Sequence, residues 1–167
     1  MDAIVMMSPA LERRERTLPF VASLPISYLK YTTAKIAGCL PIFLVQWIAL
    51  VAGLVATILL TPWHAHGSVP FVDLMSAEIL MSTCLVTTVA ITTESQNWTV
   101  GSTQVGVLTF NGLGWWFVSL SGIRGTIRSA TIQWSGTAKA LIVGELALIG
   151  LMIAIAFFVQ SRKTNFI

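Results

Sequence analysis

Ile36 to Leu60 reads IAGCLPIFLVQWIALVAGLVATILL, twenty-five residues without one ionised side chain at neutral pH. A bilayer core needs about 20 mostly apolar residues in a helix, and this run exceeds that. Its reading decides the fold class: an all-α, polytopic membrane helix bundle. Pro41 is placed to kink the first turns.

The rest of the chain agrees with that opening. Of 167 residues, 55% are hydrophobic and only 10% charged; the mean hydropathy is +0.80. A soluble domain carries roughly a quarter charged residues and could not cover its surface with so few. The net charge of +3 is too small and too scattered for a nucleic-acid partner, and suits a membrane protein with basic cytoplasmic loops. Cys39 and Cys84 both sit in apolar runs and read as small buried hydrophobes. The short apolar start, Ala3 to Met7, precedes the charges, which is the reverse of a signal peptide.

Outward from the first span, Leu74 to Thr92 reads as a second, with Glu78 near its start. Val105 to Ile123 is a weaker third, rich in glycine and carrying Asn111, and Ala140 to Val159 is the last. The loop Thr61 to Asp73, the polar linker TESQNWTVGSTQ and the polar stretch Arg124 to Lys139 separate them. About four spans place both termini on one side. Arg13, Arg14, Arg16, Lys30, Lys35, Arg162 and Lys163 lie with the termini, against Arg124, Arg128 and Lys139 on the other face. That bias predicts cytoplasmic termini. The three contrary charges leave open a re-entrant third segment or an interfacial helix. Residues 1–35 then form a cytoplasmic collar, and 36–167 the transmembrane domain.

The collar begins with five consecutive charges, Glu12 to Arg16, and runs into an apolar stretch punctuated by Pro19 and Pro25. Phe20, Val21 and Leu24 fall on one helical face, the pattern of a short helix lying along a surface. Ser27 is placed to cap a new helix that continues through Tyr28 into the span.

The stretch ALERRERTLPFVASLPISYLKYTTAK resembles the loop before the third span of ABC-2 type transporter permease subunits. The matching positions are Glu12, Arg13, Arg14, Glu15, Arg16, Thr17, Leu18, Phe20, Ser23, Leu24, Pro25, Ile26, Ser27 and Lys35. The ending FFVQSRKTNFI is similar to that family's C-terminus. The resemblance implies a membrane-spanning permease subunit, with export the expected direction, in the inner membrane of a bacterial cell. It implies that the collar is a coupling helix docked on a separate ATP-binding subunit through Arg13, Arg14, Arg16, Phe20, Leu24 and Ser27. It also implies pairing with a second permease, as a homodimer or heterodimer. Such permeases have six spans, two of them ahead of the collar; MDAIVMMSPA looks like the tail of the second. The expectation is therefore a truncated frame or a reduced half-permease. The alternative to transport is an accessory or assembly membrane protein whose collar docks a different partner.

No catalytic role is expected of this chain. The glycine-rich pieces NGLGWW and SGIRG lack the GxxxxGK[ST] pattern of a phosphate-binding loop, so ATP and Mg would be bound by the partner subunit. His64 and His66 have no cysteine or placed carboxylate nearby, and metal binding is not expected. Trp63, Trp98, Trp115, Trp116 and Trp134 read mostly as interface anchors. NWT at Asn97 fits a glycosylation sequon but faces the cytoplasm in this topology. Glu78 and Glu145 are the acids well inside apolar spans, where charge is expensive and often functional. With those span ends, each falls one to two turns from the non-cytoplasmic end, within reach of water. The sharper expectation is that Glu78, Glu145, Arg124 and Arg128 line a substrate path, or that the acids pair with Arg124, Arg128 or Lys139. Arg124 and Arg128 share a helix face at i, i+4.

Overall fold

A computed structural model describes residues 28–61, 65–93 and 95–162. The collar residues Arg13, Arg14, Arg16, Phe20, Leu24 and Ser27 lie outside the described residues, as do Trp63 and His64. Among the described residues the structure is all-helical, without strands: α1 (Tyr28–Leu60), a 3₁₀ turn (His66–Ser68), α2 (Val69–Thr93), α3 (Gln96–Ser119), the short α4 (Ser121–Ile127) and α5 (Gly136–Arg162).

Three of these helices are long and apolar enough to cross a membrane: α1 over Ile36–Leu60, α2 with its leading turn over His66–Thr93, and α5 over Gly136–Arg162. The first has the bounds expected from sequence. It is the apolar part of a 33-residue helix, about 50 Å long at 1.5 Å per residue. Position 36, drawn above as a domain boundary, falls inside this helix, and Pro41 does not interrupt it.

The other boundaries differ from expectation. Helix α2 starts at Val69 rather than Leu74, with Pro70 in its first turn, where a missing amide N–H costs nothing. Helix α5 starts at Gly136 rather than Ala140, because the Ser135 hydroxyl accepts the Ala138 N–H at 3.1 Å and caps it. The largest correction concerns the third span. The segment from Gln96, read above as linker, is helical, and α3 stops at Ser119 rather than Ile123. Its polar start is tolerated because Thr99, Ser102 and Thr103 donate their hydroxyls to carbonyls within the helix or just before it.

Helix α2 is the centre of the bundle, packed by α1, α3 and α5. It runs parallel to α5 along a long seam. Leu141 and Ile142 pack against the cluster of Leu74, Phe117 and Ile123, and Met81 and Cys84 cluster with Ile149, with Met152 packed against them. Farther on, the Thr88 hydroxyl donates to the Met152 carbonyl at 3.4 Å, and the Gln160 amide donates to the Ile91 carbonyl. Helix α1 is tied to α2 midway, where the Trp47 indole N–H donates to the Ser76 carbonyl at 2.8 Å.

One end of the bundle is closed. Leu120 has extended backbone and bends the chain between α3 and α4. Helix α4 then tucks Ile123 against Leu74 and Phe117. The Gly67 N–H donates to the Ser129 carbonyl at 2.9 Å. A side chain at Gly67 would meet the Thr126 carbonyl oxygen at 2.1 Å, so this approach admits only glycine.

Candidate functional site

The interior of α2 contains many polar residues, and most of them satisfy themselves. Ser76, Thr83, Thr87 and Thr92 donate to the carbonyl one turn back, at 2.7 to 2.9 Å. A hydroxyl returned to its own helix needs no partner from outside, so these residues are accommodated in apolar surroundings at little cost. A carboxyl group cannot do this in its ionised form, because it has only acceptors.

Glu78 and Glu145 are the exceptions. Glu78 is 0% exposed and Glu145 6% exposed. All four of their carboxyl oxygens are buried without a hydrogen-bond partner. They occupy one level of the α2–α5 seam, between the apolar cluster around Leu74, Phe117 and Ile123 and the one around Met81, Cys84 and Ile149. The two carboxyls lie within electrostatic range of each other. Ser82, one turn along α2, lies beside the Glu78 carboxyl. Its hydroxyl geometry is instead directed at the Gly106 carbonyl of α3, at a marginal 3.5 Å.

The helix bounds move these acids farther from the helix starts than the sequence suggested. Glu78 stands nine residues past Val69 and Glu145 nine past Gly136, about 13 Å along each helix. Both helices begin earlier than the sequence suggested, so neither acid lies in a first turn. Pairing with the basic residues is also not what the structure forms. Arg124 lies on α4, Arg128 directly after it and Lys139 in the first turn of α5; all three are exposed, and neither carboxyl is hydrogen-bonded. The structure therefore brings Glu78 and Glu145 together and leaves the two arginines at the closed end of the bundle.

A third buried residue with an unpartnered polar atom, among the described residues, is Gln160, which the sequence did not single out. Gln160 is almost wholly enclosed; its amide N–H holds α5 to Ile91, while its carbonyl oxygen has no partner. The available signal was its position at the end of the apolar run, on the same face as Glu145, Ile149 and Ala156. Of the tryptophans, Trp98, Trp115, Trp116 and Trp134 are all exposed, as interface anchors would be. Among the described residues, no three His, Cys, Asp or Glu side chains come together in a way that could hold a metal ion.

The outer surface is apolar over long stretches. Val45, Ile48 and Leu54 of α1, Val105 and Leu108 of α3, and Val143 and Leu151 of α5 are all exposed. Such a surface is matched to lipid tails rather than to water. No protein-family model, curated protein or solved structure matches the chain.

Proposed function

We propose that this chain is a membrane-spanning permease subunit of an ABC-2 type transporter, with ATP hydrolysed by a separate subunit and the energy passed through the collar. In this reading α3 supplies a fourth crossing, both termini are cytoplasmic, and the membrane is the bacterial inner membrane. Transport, in the export direction, follows from rocking of the spans between protomers.

What carries the reading is the continuity of α1. The last matching position of the collar motif, Lys35, lies within this helix, which runs unbroken from Tyr28 to Leu60. A partner that pushes on the collar would thus act on a rigid rod leading through the first span to the Trp47–Ser76 contact with α2. Helices transmit displacement along their axes far better than loops, so α1 suits a lever. The collar chemistry supports the same role: Phe20 and Leu24 offer apolar anchors, and Arg13, Arg14 and Arg16 offer cations to acidic groups on a docking partner.

The test is a pull-down of the tagged chain from mild detergent, beside Leu24→Asp. An ATP-binding subunit should co-purify with the parent and be lost from the variant, because a charge at the anchor would have to be desolvated in the groove. Failure of any ATPase to co-purify sinks the reading, and the collar is then a basic anchor for anionic lipid headgroups.

A further inference from the structure

We propose that Glu78 and Glu145 together form a proton-binding site inside the membrane-spanning bundle, a carboxylic acid and a carboxylate holding a proton between them across the α2–α5 seam. The placement is geometric. Helices α2 and α5 are parallel, so the cluster of Leu74, Phe117 and Ile123 with Leu141 and Ile142 packed on it, on one side, and Met81 and Cys84 with Ile149, on the other, set the two glutamates at the same level. Both side chains are more than nine-tenths buried, and all four oxygens are without a donor.

Among the described residues, the surroundings supply no counter-charge at this level. Helix α1 has no acidic or basic residue between Ile36 and Leu60; its cations Lys30 and Lys35 lie at its start, at least about 18 Å along the axis from Trp47. Trp47 itself already donates to the Ser76 carbonyl. Helix α3 contains no Asp, Glu, Lys, Arg or His from Gln96 to Ser119. The α4 side contributes Arg124 and Arg128, both exposed, and the 3₁₀ turn contributes His66, which stands before the first turn of α2. On α5, Lys139 and Arg162 are exposed near its two ends. On α2 itself, Asp73 lies more than a turn nearer the helix start, and Cys84 belongs to the apolar layer beyond Glu78.

Two bare carboxylates at this one level would be buried like charges with nothing among the described residues to offset them. A single proton resolves this. It converts one oxygen into a donor, which the facing carboxylate accepts in a charge-assisted hydrogen bond. A metal ion fits less well. The level offers four carboxyl oxygens and at most the Ser82 hydroxyl, whereas calcium takes about six to eight oxygens. The site stands or falls independently of any ATPase partner.

The experiment uses the full chain in mild detergent, treated with dicyclohexylcarbodiimide, an apolar reagent selective for protonated carboxyls in apolar sites. The acid proton passes to one carbodiimide nitrogen and the carboxylate oxygen adds to the central carbon. The O-acylisourea then rearranges to an N-acylurea that retains every atom of the reagent. Peptide mass mapping should find the label on Glu78 or Glu145 and little on the other acids. The infrared spectrum should show a protonated-carboxyl C=O band that shifts in deuterium oxide. Both signals should be lost in Glu78→Gln/Glu145→Gln, whose amides keep the shape and hydrogen-bonding capacity of the site. The parent measurements alone decide if that variant does not fold. Absence of both band and label in the parent overturns the proposal. So does a stoichiometric metal ion whose removal by a chelator is needed before labelling occurs.

Discussion

Helices α1 and α2 can both cross a membrane, yet they occupy opposite environments. Only 6% of the most apolar window of α1 is buried inside the protein, against 50% of that of α2. Helix α1 is the more apolar of the two, and it is the one left outside. In water the order would be reversed, because burial of apolar surface drives folding there. In lipid, Leu and Ile gain little by leaving tails that are as apolar as themselves. Close packing of small residues and satisfaction of polar groups decide which helix is central. Helix α2, with its serines, threonines and Glu78, is better served by protein neighbours than by lipid, and Gly106 of α3 approaches Ser82 closely enough to make such packing.

The sharpest way to break this contrast is to damage one helix and then the other. Leu74→Ala, fully buried in the early part of α2, should cost about 2–5 kcal/mol by leaving a cavity, seen as a lower thermal midpoint in detergent. A comparable cost for Val45→Ala on α1, which is 68% exposed, would mean that α1 is covered by protein. Next in size is Gly67→Ala. Its added methyl collides with the Thr126 carbonyl and should cost about 1–3 kcal/mol as α4 is pushed off the closed end. Gln160→Leu removes the tie from α5 to Ile91. Interhelical hydrogen bonds in membranes average about 0.6 kcal/mol, and the loss should be of that order.

The smallest effects should come from the self-satisfied hydroxyls and from the lipid-facing surface. Thr87→Val removes a hydroxyl that donates only to its own helix, and Val45→Ala removes exposed apolar atoms. Both should stay within about 0.5 kcal/mol. A large loss in Thr87→Val would show that α2 depends on its polar groups for contact with neighbours.

Much of the bundle was legible along the chain. Ile36–Leu60 has the expected bounds because a charge-free apolar run has few alternatives in a bilayer. The helix starts were less legible. Gly67 and Pro70 read as loop residues, yet one serves a close tertiary contact and the other a first turn. The polar beginning of α3 looked like a linker because hydropathy does not register a hydroxyl bonded to its own helix. The acids were legible individually, but not their shared level, which depends on how α2 and α5 pack.

By itself, then, the sequence determined that this is an α-helical chain with apolar segments long enough to cross a membrane, because a spanning backbone must satisfy its own hydrogen bonds. It also marked Glu78 and Glu145 as costly residues in such segments. Only the tertiary structure decided that α2 is central and that α2 and α5 lie parallel in register. That register brings Glu78 to the level of Glu145, with no hydrogen bond to either carboxyl from the arginines and lysines among the described residues. Helix period and hydropathy are properties of one segment, whereas register is a property of two. It is set by the interdigitation of Leu74, Met81, Ile149 and their neighbours, which no single stretch contains.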